Sequence, residues 1–394
     1  MTFFRRAARV ATLLSISGVG CGSSSPSDNG APDTSDASSV EGGAATDASA
    51  DATGASDGTT NGATDGTTGD GGSTTSSILD VSSSGGHACA VSADGRLRCW
   101  GANNQGQLGD GTTTPHPTPI DVPGITGAIA VSAKANHTCA VVAGGAVKCW
   151  GDNYNGVLGA GGTNQALVPL DVPTVTGAKS VTTGSGHSCA ILTNGSLRCW
   201  GSNYYGQLGP VPNPPNPSVL MLQAPAVQVG CGNGFTCAAL TDGTAWCWGA
   251  GSEGELGDGK SAFSSGPVQV SGLTNVVGIA SGQGQNCAVL ADGTARCWGS
   301  NAGGALGDGK TEIQSATPVV VAGLSGAKQI DANEAVTMVL LADGSAAVWP
   351  QPQLATVPGL TGATKVSAGG CAIVGAGVSC WMTTATPTPV PGLP

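Results

Sequence analysis

Gly86-His87-Ala88-Cys89-Ala90-Val91, then Asp94-Gly95, then Cys99-Trp100-Gly101, then Asn103, Gly106, Leu108 and Gly109, is the stretch on which the fold turns. It returns as His137, Cys139, Cys149, Trp150, Asn153, Gly156, Leu158 and Gly159, and again as His187, Cys189, Cys199, Trp200, Asn203, Gly206, Leu208 and Gly209. A fourth copy keeps Cys237, Cys247, Trp248, Gly254 and Leu256, and a fifth keeps Cys287, Cys297, Trp298, Asn301, Gly304 and Leu306. The sixth retains Asp343-Gly344 and Trp349, and the seventh Cys371, Cys380 and Trp381. Seven tryptophans therefore mark seven units, with Trp246 the only extra one. Self-similarity at a fixed spacing signals a repeat architecture and takes precedence over any single motif.

Working outward, the 66 Gly and 23 Pro residues disfavour long helices and favour short strands joined by turns. Most units close with a segment near P-x-V-P-G-L: 120–125, 170–175, 268–273, 319–324 and 357–360, with a last copy at 389–393. Each earlier copy leads into a strand such as Val131-Ser132 or Val181-Thr182. No such strand follows Leu393, and one stands without a partner at 78–83. The end of the repeat array thus complements its beginning, as expected of a closed ring in which the two ends zip together rather than of an open solenoid.

The pattern G-H-x-C-A…D-G…C-W-G-x-N-x-x-G-x-L-G resembles the repeats of the regulator of chromosome condensation family, including its bacterial secreted members. The resemblance extends over 78–394 and is specific in units one to five. Units six and seven lack the N-x-x-G-x-L-G loop, which predicts a flatter ring on that side. The resemblance implies an all-β, seven-bladed β-propeller. WD-type and kelch propellers are the alternatives, but Trp-Gly stands where Trp-Asp would be, and no paired-Gly kelch pattern recurs.

Residues 1–20 carry a basic start (Arg5, Arg6, Arg9) and a short, mostly apolar run, Val10–Val19, too short for a stable membrane span. They read as a secretory signal. Gly18-Val19-Gly20-Cys21 resembles the lipobox of bacterial lipoproteins, which implies lipidation at Cys21, although Gly18 stands where that family usually has Leu. Gly22 and Ser23 lack the acidic residue that often retains lipoproteins at an inner membrane, so the outer membrane or cell surface is expected, with a periplasmic or secreted protein as the alternative. Residues 21–77 continue in Ser, Gly, Ala, Thr and Asp without apolar periodicity, a composition that cannot offset its ordering entropy. As a flexible tether they reach roughly 40 Å root-mean-square. The formal charge of −11 is uneven: nine acids and no base lie in 22–77, against 16 acids and 11 bases in 78–394. The folded part is only mildly acidic and has no basic stripe, which argues against nucleic-acid binding.

Twelve of the 14 Cys form pairs. Cys89/Cys99, Cys139/Cys149, Cys189/Cys199, Cys237/Cys247 and Cys287/Cys297 each flank a three-residue turn with Gly third, where a left-handed backbone is needed. Cys371/Cys380 flanks the two-residue turn Gly375-Ala376. Both spacings put the partners opposite each other on adjacent strands, at a separation that suits a disulfide. Unit six has Met338 and Val348 at the two positions, so both Cys are absent together. Six disulfides imply an oxidising compartment, in keeping with export. Cys231 is left over, either as a buried thiol or as a reactive or intermolecular one.

No metal, cofactor or catalytic site is read from the sequence. His87, His137 and His187 recur once per unit and are rotated apart by the ring, so they do not converge on a ligand; Phe235 and Gln285 fill the same slot. The Asp-Gly dipeptides are turn chemistry, since no calcium loop with a distal Glu occurs. No nucleophile elbow, phosphate loop or zinc helix is present. The three tyrosines are more informative. Tyr154, Tyr204 and Tyr205 all fall between N and G of W-G-x-N-x-x-G, in adjacent units two and three, and are expected on one face as a partner-binding patch. Unit three also carries an insertion at 210–225. The reading is an envelope-displayed binding module that engages a protein or envelope component through its loops and meets the membrane only through its anchor. A secreted relative that inhibits a hydrolytic enzyme with its loops offers an alternative role by resemblance; a polysaccharide lyase or hydrolase would need paired carboxylates near the central face. Nucleotide exchange, the family's best-known activity, conflicts with export.

Overall fold

The computed structural model describes residues 76–393 except 85, 163, 211–216, 335, 350–353 and 382–384. The signal segment 1–20, Cys21 and nearly all of the tether lie outside the described residues. The described chain forms seven four-stranded antiparallel sheets, each built from four consecutive strands. The blades span 78–121, 128–171, 178–220, 226–269, 276–320, 327–356 and 363–389. Together they make a seven-bladed β-propeller. No described helix is long and apolar enough to cross a membrane.

Each blade is built on the second and third strands, His87–Ser92 and Leu97–Gly101 in blade one. Their turn has the expected geometry. Ser92 N donates to Arg96 O at 2.9 Å, and Gly95 sits at φ 80°, where a Cβ would lie 2.7 Å from the Gly127 Cα. Glycine is therefore required twice over, by backbone sign and by space. The turn aspartates cap themselves. Asp242, Asp292 and Asp343 accept from the backbone two residues on at 2.9 Å, and the bonding hydroxyl of Thr244, Thr294 or Ser345 holds each carboxyl below its ordinary range.

In that register Cys89 faces Cys99, and the other five pairs are opposed in the same way. All six are disulfides with Cα atoms 4.1 Å apart. They fit an oxidising environment. The Met338–Val348 pair occupies the same register in blade six.

Blades are joined by a repeated device. The carbonyl of the residue before Leu in G-x-L-G of one blade accepts the indole N–H of the next blade's tryptophan. Trp150 and Trp248 donate to Gln107 and Gln207, Trp200 to Val157, Trp298 to Glu255 and Trp349 to Ala305, all at 2.8–3.0 Å. A second donor from the next blade reaches the same carbonyl: Thr138, Ser188, Thr236 or Asn286. The repeated tryptophan is thus the mortise between blades.

The ring closes differently from the expectation. The ends do meet: Ile78 N donates to Ala376 O at 3.0 Å, Arg98 reaches Gly392 O at 3.0 Å, and Lys365 pairs with Asp80. Ile78, Val81 and Trp100 share a buried cluster with Cys371, Ile373 and Val378. They do not zip, because Ile78–Ser83 pairs only within blade one and Thr388–Pro389 only within blade seven. The sequence unit that starts at Ile78 coincides with a whole blade, so closure is face-to-face packing of two complete sheets rather than a shared one. Within the insertion at 210–225, Ser218–Leu220 forms the outer strand of blade three, paired to the tryptophan strand.

Candidate binding face

Successive strands of a blade alternate in direction, so the connections between strands one and two and between strands three and four emerge at one end of the ring. The Cys-flanked turns emerge at the other. The long N-x-x-G-x-L-G connections all lie on the first face. Their conformation is set by the buried Asn. Asn103 Oδ1 accepts from Leu108 N at 3.0 Å while its Nδ2 donates to Thr112 O and Thr114 O; Asn153 and Asn301 repeat the arrangement. A rigid base therefore presents the variable positions between Asn and Gly.

Tyr154 and Tyr204 are 74% and 82% exposed, and Tyr205 is half exposed. Tyr204 and Tyr205 form an edge-to-face pair with ring centroids 4.8 Å apart. Tyr205 also covers Gly234 of blade four, where a Cβ would lie 2.7 Å from its ring. The structure thus brings two of the three tyrosines into contact; Tyr154 occupies the matching slot one blade away, without a ring partner among the described residues.

Two further exposed apolar side chains on this face were not singled out from the sequence. Phe263 and Ile313, 71% and 80% exposed, end the corresponding connections of blades four and five. A signal existed: Gly257-Asp258-Gly259-Lys260 precedes Phe263 at the same spacing that Gly307-Asp308-Gly309-Lys310 precedes Ile313. Four adjacent blades therefore carry a large exposed apolar group on one face.

The buried histidines belong to the blade joints. Thr138 Oγ1 donates to Gln107 O, so its remaining capacity is to accept, and His87 Nε2 donates to it at 2.9 Å. His137 meets Ser188 and His187 meets Thr236 in the same way. Burial pushes His87 down to about 4; burial, aided by neighbouring positive charge, pushes His137 and His187 down to about 3. Each folded value lies below the unfolded one, near 6.5. Stability is therefore complete above about pH 7 and falls as the unfolded chain takes up protons that the fold excludes. At pH 5 one such histidine costs about 2 kcal/mol relative to pH 7. His137→Gln, the residue type that blade five uses at Gln285, is expected to lose that much less between the two pH values in urea unfolding. An unchanged pH dependence would exclude a buried neutral His137.

Ligating atoms of His187, Cys189 and Cys231 lie within 4.8 Å of one another. The Cys189 sulfur is already bonded to Cys199, so the group is no thiolate metal set. Cys231 is a free, buried thiol that burial pushes up to about 12, which makes it unreactive. It lines the central channel, a cavity of about 280 Å³. Lys134 crosses that channel to the carbonyls of Cys231 and Ser281 in blades four and five. The channel carboxylates are also committed. Asp80 accepts from Val131 N and pairs with Lys365, and Asp331 accepts from Ala368 N and Ser367. They stitch neighbouring blades together and do not form the opposed acid and base that glycoside chemistry uses.

The model of the RCC1-like domain family matches residues 53–369. Among solved structures, Prp20p from Saccharomyces cerevisiae is similar at 20% identity, with 65% of this chain and 67% of that chain covered and a TM-score of 0.58. Human WBSCR16 is similar at 22% identity, with 65% and 70% covered and a TM-score of 0.58. These two likenesses are to the fold.

Proposed function

The chain belongs to the RCC1-like domain family, and we propose that it is an exported binding module that engages a protein or envelope partner through the face bearing Tyr154, Tyr204, Tyr205, Phe263 and Ile313. The observation that carries this reading is large apolar groups exposed on four adjacent blades, three of them on connections whose bases are pinned by an Asn that accepts from the backbone of the loop leucine. Such groups combine apolar area with little ordering cost, as interface anchors do. Protein binding is a common use of such propellers; the structural report on yeast Prp20p describes its binding to Gsp1p and histones. Export through residues 1–20, lipidation at Cys21 and a tether to residue 77 complete the proposal and place the ring at the outer membrane or surface. The disulfides support an oxidising location. Catalysis is not part of the reading, because the channel carboxylates are structural. Inhibition of an enzyme by loop coverage is one form this binding takes in the proposal.

The test is affinity capture from envelope extract with three forms of the chain. Replacing Tyr154, Tyr204 and Tyr205 together by Ala is expected to reduce recovery of the partner about tenfold or more. Replacing Leu79 and Ile129, exposed at the opposite end of the inner strands, by Ser is expected to leave recovery intact. Equal recovery with the tyrosine variant rejects the face.

A further inference from the structure

The joint between blades seven and one lacks the part that fills five other joints. There, a G-x-L-G turn lays its leucine and a carbonyl against the next tryptophan. Leu108, Leu158, Leu208, Leu256 and Leu306 are all buried in this role. The Gln107 Cα also closes to 3.2 Å of the Cβ that Gly151 would bear, and Gln207 does the same at Gly249. Blade seven has no N-x-x-G-x-L-G segment after Trp381.

What remains is a cavity of about 560 Å³, lined by Ser83, His87, Trp100, Trp381, Thr386 and Thr388 among others. Its size is that of a ligand site. Among the described residues no Asp, Glu, Lys or Arg lines it, a lining that suits a neutral occupant. Two of the four buried side-chain atoms without a hydrogen-bond partner among the described residues belong to this lining, Ser83 Oγ and His87 Nδ1. His87 is 2% exposed, and its Nε2 proton is committed to Thr138. Its Nδ1 therefore offers a lone pair and asks for a donor. Trp100 offers an indole N–H of the kind that takes a carbonyl at the five other joints.

We propose that this cavity is a binding site for a neutral peptide turn that presents a leucine-sized side chain, a backbone carbonyl and a backbone N–H, the chemistry of the chain's own G-x-L-G turn. The carbonyl accepts from the Trp100 indole, an N–H donates to His87 Nδ1, and the apolar side chain rests between Trp100 and Trp381. The site lies at a joint remote in sequence from the tyrosine-bearing connections and does not depend on them.

The probe is an acetylated, amidated heptapeptide with the sequence of residues 103–109, titrated into the full oxidised chain to about 1 mM while the Trp100 indole N–H resonance is followed. Trp100→Phe assigns that resonance. Saturable displacement of this signal is expected, and a peptide with Asp in place of its leucine is expected to bind at least about tenfold more weakly. His87→Phe, tolerated in form because Phe235 fills the slot in blade four, is expected to weaken binding roughly three- to tenfold by removing one acceptor. Thr386→Trp, at the exposed rim, is expected to abolish it. No displacement of the Trp100 signal, or equal binding by the Asp peptide or the Thr386→Trp variant, overturns the proposal. The titration reads this cavity alone, so its failure leaves the reading of the loop face standing.

Discussion

Reduction of the six disulfides is expected to lower the thermal unfolding midpoint by roughly 25–35 °C. Each closes a short loop, with sequence separations of 10 residues in five cases and 9 in the sixth. On the loop-entropy model one such bond stabilises by about 2–3 kcal/mol. Near 300 folded residues, 1 kcal/mol shifts the midpoint by about 2 °C. The contributions add because the bonds sit in separate blades, with contacts mainly to nearest neighbours. Blade six is an internal control. Its Met338–Val348 pair has no bond to lose, so hydrogen exchange in Thr337–Trp349 should change least on reduction. Calorimetry with and without a phosphine reductant gives the answer. A midpoint that moves by only a few degrees would show that the hairpins are held by packing alone.

The second large effect concerns the tryptophans, which are equivalent in sequence and unequal in structure. Trp200→Ala is expected to cost about 3–5 kcal/mol, since its ring is wholly buried and its indole bonds the Val157 carbonyl at 2.8 Å. Trp100→Ala should cost roughly half as much. Trp100 is 9% exposed, borders a cavity already present and, among the described residues, meets no loop carbonyl of the kind that Trp200 meets. Urea unfolding of the two variants separates them. Equal losses would mean that the joint of blades seven and one is packed like the others, and the cavity there would lose its meaning.

These contrasts show how far the repeat pattern reaches. Strand pairing, the register of Cys89 on Cys99, the left-handed turn at Gly95 and the paired absence at Met338 and Val348 were all legible, because each depends on residues about ten positions apart and on backbone geometry that the turn alone fixes. The two-residue turn at Gly375-Ala376 was legible for the same reason. The three tyrosines were expected on one face, but which of their rings touch was not legible. Tyr204 and Tyr205 are sequence neighbours and touch, whereas the relation of Tyr154 to them depends on the rotation from one blade to the next, which no local pattern encodes. Phe263 and Ile313 were overlooked because the repeat consensus draws attention to what recurs in every unit, and they recur in only two.

The amino-acid pattern by itself determined the unit: an all-β blade, its disulfide, its buried tryptophan and the number of copies, since hairpins are local and seven near-identical surfaces have one way to pack. Only the tertiary structure decided the joints. The carbonyl that receives each indole lies in the preceding blade, 43 residues upstream for Trp150, and the closure of blade seven on blade one joins Lys365 to Asp80 across nearly the whole folded chain. Those contacts join residues of different blades and exist only once the ring is assembled.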